Sequence, residues 1–130
     1  MLDNLATNLN ATVRFYPSNM ILNVHSDVSY LSAKNTKSCA DGHFFLDWQP
    51  DDKRPIRLNG SIVTLCTILK FVAASVAEAE LCAMVLNAKE AKIIRLTLEE
   101  LGHPQLPTPM YCSDATAAGI ANNIVKRQQS

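Results

Sequence analysis

One stretch constrains the fold more than any other, the run from Ser75 to Pro104: S-V-A-E-A-E-L-C-A-M-V-L-N-A-K-E-A-K-I-I-R-L-T-L-E-E-L-G-H-P. It opens with Ser75-Val76-Ala77-Glu78, the pattern of a capping box. The serine accepts from the amide three residues on, and the glutamate reaches back to the amide of the serine itself. Leu81, Met84, Val85, Ala88, Ala91, Ile94, Leu98 and Leu101 follow at helical spacing and form the expected buried stripe. Gly102 suits the left-handed residue after the helix, and Pro104 prevents continuation. A helix of this length must bury its stripe against another layer, and the residues before it are β-prone.

Met20 to Asp27 alternates as a strand, with Met20, Leu22, Val24 and Ser26 on one face and Ile21, Asn23, His25 and Asp27 on the other. Ser32 to Asp41 reads as polar loop, Gly42 to Trp48 as a second strand, and Pro50 to Gly60 as a connecting loop. Ser61 to Leu69 and Phe71 to Ala74 read as one long or broken strand. Thr108 to Ser113 reads as a short strand, and Asp114 to Lys126 as a second helix capped by Asp114 or Ser113. A short helix near residues 2–9 precedes the rest. The order is strand, strand, strand, helix, strand, helix. That order predicts an α/β fold: three antiparallel strands, then a helix, a parallel strand and a helix, packed as a mixed sheet.

The 130 residues suit one domain with one real core. Twelve basic residues balance twelve acidic ones, so binding driven by phosphate contacts alone is disfavoured and a nucleic-acid role must rest on a site. Cys39, Cys66, Cys82 and Cys112 are scattered without a C-x-x-C pair. Their spacing suggests neither zinc nor a disulfide framework, and Cys66 and Cys82 read as small core residues. No apolar run approaches the roughly 18 residues that span a bilayer. The expected setting is soluble and intracellular, with no membrane.

Glu78 and Glu80 stand two apart and therefore face different ways on a helix. Glu78 has the capping role, whereas Glu80 has none and is costly to bury without a cation or water. Asp27 ends the first strand and Asp114 ends the strand before the last helix. Neighbouring strands bring these ends together, close to the first turn of the long helix. Three converging carboxylates with no lysine or arginine repel one another unless a divalent cation lies among them, and hard oxygen ligands favour magnesium or manganese. Asp114 also suits an N-cap, and Asp27 also suits a turn. His25 and His43 read as ordinary strand histidines, and His103 as part of a helix C-terminus.

The blocks N-V-H-S-D-V-S-Y-L-S (23–32), G-H-F-F (42–45), S-V-A-E-A-E-L (75–81), L-E-E-L-G-H-P-Q (98–105) and S-D-A-T-A-A (113–118) together resemble the ribonuclease H domain of copia-type LTR-retrotransposon Pol polyproteins. The resemblance runs from about Ala6 to the last residue. It implies a lead-in at 1–19, similar to the connection after the reverse transcriptase, and a partial RNase H-like domain at 20–130. It places the family's catalytic, metal-binding acids on Asp27, Glu80 and Asp114, with Mg2+ or Mn2+ as cofactor and an RNA–DNA hybrid as substrate. It also implies a cytoplasmic or nuclear setting, or a virus-like particle. The family continues through a fifth strand and a last helix with a fourth acid, so the expectation is a domain lacking both. It then either cleaves hybrids or acts as a non-catalytic binding or structural subunit. The edge at 108–113 is expected to pair with a second copy or a partner protein.

Overall fold

The computed structural model describes residues 2–48 and 58–122. In chain order these are α1 (Leu2–Thr7), β1 (Ile21–Ala33), a 3-10 turn (Lys34–Thr36), β2 (Lys37–Asp47), β3 (Ser61–Ile68), α2 (Val76–Glu100), β4 (Met110–Cys112) and α3 (Ala115–Ala121). The four strands form one mixed sheet in the order β3-β2-β1-β4. β1 and β2 pair antiparallel from Ile21 opposite Asp47 to Ser29 opposite Cys39, and β2 and β3 are antiparallel as well. β4 runs parallel to β1, with Val24 beside Met110 and Ser26 beside Cys112. The architecture is thus mixed α/β, as the element order predicts.

The polar loop expected at Ser32–Asp41 is instead the far end of a long hairpin, because β1 continues to Ala33 and β2 begins at Lys37. The chain reverses through Asn35 and Thr36, at φ 61° and 54°, a left-handed conformation that asparagine tolerates. Polar composition suggested a loop here, yet alternate residues are buried: Ser38 and Ala40 face the core. Phe71 to Ala74 forms no strand. Leu69 and Ala73 anchor that segment while Phe71 and Val72 stay exposed.

Alternation sends Leu22, Val24, Ser26 and Val28 of β1, with Ala40 and Phe44 of β2, toward α2. Leu22, Val24, Phe44, Ala91 and Leu98 make one buried cluster, and Ala40, Leu69, Ala73, Ala79 and Ala83 make a second. Full burial of a side chain such as Phe44 contributes about 1.5–3 kcal/mol.

Both ends of α2 are built as the sequence indicates. Ser75 Oγ accepts from the Glu78 amide at 3.1 Å, while Glu78 Oε2 accepts from the Ala74 amide at 2.6 Å, one residue before the cap itself. At the other end Gly102 adopts φ 90°. Its amide donates to the Glu99 carbonyl at 3.0 Å and the His103 amide to the Leu98 carbonyl at 2.9 Å, the paired bonds of a Schellman motif.

The buried face of α2 is rotated from the predicted stripe. It carries Ala79, Glu80, Ala83, Asn87, Ala91 and Leu98, whereas Val85, Ala88 and Leu101 are exposed. The cause is close approach: a Cβ at Gly42 of β2 would lie 2.2 Å from Asn87 Oδ1, so the helix meets the sheet on its small residues. Larger side chains turn outward, where Leu81, Val85 and Leu86 line an apolar groove of about 410 Å³ with Ile68 and Phe71. No described helix is long and apolar enough to cross a membrane.

Candidate functional site

Glu80 lies in the first turns of α2 and is only 2% exposed. Its Oε1 accepts from Ser113 Oγ at 3.2 Å, and its Oε2 is buried with no hydrogen-bond partner. Ser113 sits between β4 and α3, so this bond ties the helix start to the end of the parallel strand. Burial pushes the Glu80 carboxyl above the ordinary range. The Ser113 hydrogen bond opposes that rise, and the negative charges of Asp27 and Asp114 add to it.

Asp114 caps α3, its Oδ1 accepting from the Ala117 amide at 2.7 Å. That engages one carboxylate oxygen in structure, so the capping and ligand readings coexist at this residue. Asp27 is exposed and lies one residue beyond Ser26, the last residue of β1 paired with β4. Alternation assigns it to the face away from α2. The β1–β4 pairing ends at Ser26, however, and the charge of Asp27 still acts on Glu80. The charges of Asp27 and Asp114 thus both act on Glu80, which makes this end of the sheet an acidic corner. The three acids do not form a tight knot: their ligand oxygens are not all within 4.8 Å of one another. Ser113 is a site residue that the sequence reading missed, since nothing marks one serine before a helix as a carboxylate's partner.

The half of α2 nearer the middle of the sheet carries a second buried polar contact. Asn87 donates to Ser26 Oγ at 2.9 Å and to the Asp41 carbonyl at 3.0 Å, while its own Oδ1 has no partner. On the opposite sheet face, the His25 ring stacks between Phe45 and Tyr111, with centroids 5.6 and 4.9 Å away. Burial first, then the nearby His43, lowers the His25 pKa. Its Nε2 is buried without a partner, which sets it apart from an ordinary strand histidine. His43 is held through Nε2 at 3.3 Å from the Asn59 carbonyl oxygen.

That same face assembles a group that linear spacing hides. Cys39 and Cys66 stand 27 residues apart, yet their sulfurs are 3.2 Å from each other, and Asp41 Oδ1 lies 3.7 Å from Cys39 Sγ. All three ligand atoms fall within 4.8 Å, so the group can hold a metal ion. It is the one such trio of His, Cys, Asp or Glu among the described residues. Cys66 is exposed, not a core residue. The β2–β3 register, with Asp41 opposite Cys66, is what makes the cluster. Burial, then contact with Cys66 and Asp41, pushes the Cys39 thiol up to about 12.

No protein-family model, curated protein sequence or solved structure matches this chain.

Proposed function

We propose that this chain is an RNase H-like nuclease domain of a retrotransposon Pol polyprotein, acting on the RNA strand of RNA–DNA hybrids. One observation carries the reading. A buried glutamate, Glu80, has a carboxylate oxygen with no partner, and its nearest charges are two further acids, Asp27 and Asp114. Leaving a buried carboxylate beside two like charges costs several kcal/mol unless a cation offsets it. The order β3-β2-β1-β4, with β4 parallel to β1, agrees with what the sequence resemblance implies.

The residues fit one or two hard divalent cations. Glu80 Oε2, the free oxygen of Asp114 and the exposed carboxylate of Asp27 are the available donors. Their ligand oxygens are not all within 4.8 Å of one another, so these side chains would have to draw closer around a cation or share more than one. When bound, magnesium or manganese supplies Lewis acidity and a water acidified for attack on phosphorus. Asp27 is the most exposed of the three and the most open to solvent and substrate. Ser113 positions Glu80 by fixing Oε1, which leaves Oε2 as the oxygen that would meet a cation. Asp114 holds its place through the α3 cap. Zero net charge argues that hybrid binding rests on helix shape and 2′-hydroxyls more than on a general basic surface.

The test is cleavage of an end-labelled RNA–DNA hybrid by the purified chain with magnesium or manganese. Metal-dependent cleavage lost in Glu80→Gln supports the reading. A second reading, a non-catalytic binding or structural subunit, is favoured by the looseness of the acidic corner. Hybrid binding without cleavage at any metal concentration would select it.

A further inference from the structure

We propose that Cys39, Asp41 and Cys66 form a binding site for a thiophilic divalent cation of the zinc type, with two thiolates and one carboxylate as ligands and a fourth position open to water. The acidic corner offers only oxygen, the donor that magnesium and manganese prefer. The open sheet face offers sulfur, which selects zinc-like ions.

The geometry needs little change to accept such an ion. Zinc–sulfur bonds of about 2.3 Å and tetrahedral angles set the two sulfurs about 3.8 Å apart, and a sulfur and a carboxylate oxygen about 3.6 Å apart. The observed separations are 3.2 Å for Cys39 Sγ to Cys66 Sγ and 3.7 Å for Cys39 Sγ to Asp41 Oδ1. A small rotation about χ1 of the exposed Cys66 closes the difference. The carboxylate is already oriented: Ser29 Oγ donates to Asp41 Oδ2 at 3.3 Å, leaving Oδ1 turned toward Cys39. Outer hydrogen bonds of this kind fix a ligand's direction before the metal arrives. The exposure of Cys66 provides the path of entry.

A disulfide is the competing use of two close thiols, and the register disfavours it. Cys39 pairs with Ile68, and Cys66 with Asp41, so the cysteines are diagonal neighbours across the two strands. Diagonal Cα atoms stand about 7–8 Å apart, beyond the roughly 4.4–6.8 Å that a disulfide spans.

Cobalt(II) titration of the full chain under reducing conditions is the test, read by thiolate-to-cobalt charge-transfer absorption and its loss on adding zinc. The expected result is saturation at equimolar cobalt. The absorption should vanish in Cys39→Ala and in Cys66→Ala, and remain unchanged in Cys82→Ala. Ser29→Ala should weaken cobalt binding by roughly 10-fold, the lower end of the range for outer-shell partners. Circular dichroism of Cys66→Ala checks folding, which the exposed position should leave intact. Absence of charge-transfer absorption in the reduced wild-type chain would overturn the proposal. So would absorption that survives both cysteine substitutions, or peptide mapping that finds a Cys39–Cys66 disulfide while the reduced chain ignores cobalt. None of these outcomes depends on whether the chain cleaves hybrids.

Discussion

The acidic corner and the cysteine–aspartate cluster are two answers to the same problem of holding charge on a small sheet. The corner draws one residue from each of three places: the length of β1, the start of α2 and the junction of β4 with α3. It buries one member almost completely, leaving an oxygen without a partner. The cluster draws all its members from adjacent strands of one hairpin face and leaves Cys66 open. A site assembled by helix docking is sensitive to how the layers meet. A site assembled by strand register depends mainly on the pairing, although Asn87 of α2 also donates to the Asp41 carbonyl. Perturbations of α2 should therefore strike the corner harder than the cluster.

The largest separation is expected from reciprocal substitutions. Glu80→Gln should weaken magnesium or manganese binding by at least roughly 100-fold, exceeding what loss of an outer-shell partner costs, and leave cobalt binding at the cysteines untouched. Cys66→Ala should do the opposite. Isothermal titration with each metal reads both arms. Loss of both sites in either variant would merge the two regions into one.

Gly42→Ala probes the interface between them. The added Cβ would meet Asn87 Oδ1 at 2.2 Å, and Asn87 is fully buried and held by two hydrogen bonds. Overpacking of this kind costs about 1–3 kcal/mol. Chemical denaturation should show the loss, and hard-metal affinity should fall further than cobalt affinity, which Asn87 touches only through the Asp41 carbonyl. An unchanged midpoint would mean that Asn87 swings aside freely.

Next in size is the stability of Glu80→Gln in the presence of a chelator. The fold raises the Glu80 pKa, so the folded state holds this proton more tightly than the unfolded chain, whose value is near 4.5. The favourable contribution is then full below about pH 4.5 and lost as pH rises through the folded value. At neutral pH the variant should be the more stable by about 1 kcal/mol, the lower range for relieving an unpaired buried polar group. The two melting curves should converge in acid. A gap that widens toward low pH would reverse the sign and refute the burial of a charged carboxylate.

The smallest effect belongs to Glu78. Glu78→Gln keeps an acceptor for the Ala74 amide and should cost only a few tenths of a kcal/mol, whereas Ser75→Ala should cost about 1 kcal/mol. Neither should change metal binding at either site. Thermal melts and cobalt titration together measure this.

Local chemistry carries its own instructions, and those parts were legible. The capping box, the glycine after α2 and the N-cap at Asp114 depend on residues within four positions of one another. The difference between Glu78 and Glu80 was legible too, because two residues apart on a helix cannot share a face. The hairpin turn at Asn35 was masked by polar residues that resemble a loop. The second half of the predicted last helix, with Ile124 and Val125, lies outside the described residues.

By itself the sequence determined the order of strands and helices, both ends of α2 and the capping role of Glu78 that Glu80 does not share, all through short-range hydrogen bonding and periodicity. Only the tertiary structure decided which face of α2 is buried, because close approach at Gly42 selects small side chains over large ones. Tertiary structure also decided that Ser113 would meet Glu80 and that Cys39 would meet Cys66. Those contacts depend on strand register and layer docking, which join residues dozens of positions apart and leave no periodic trace in the chain.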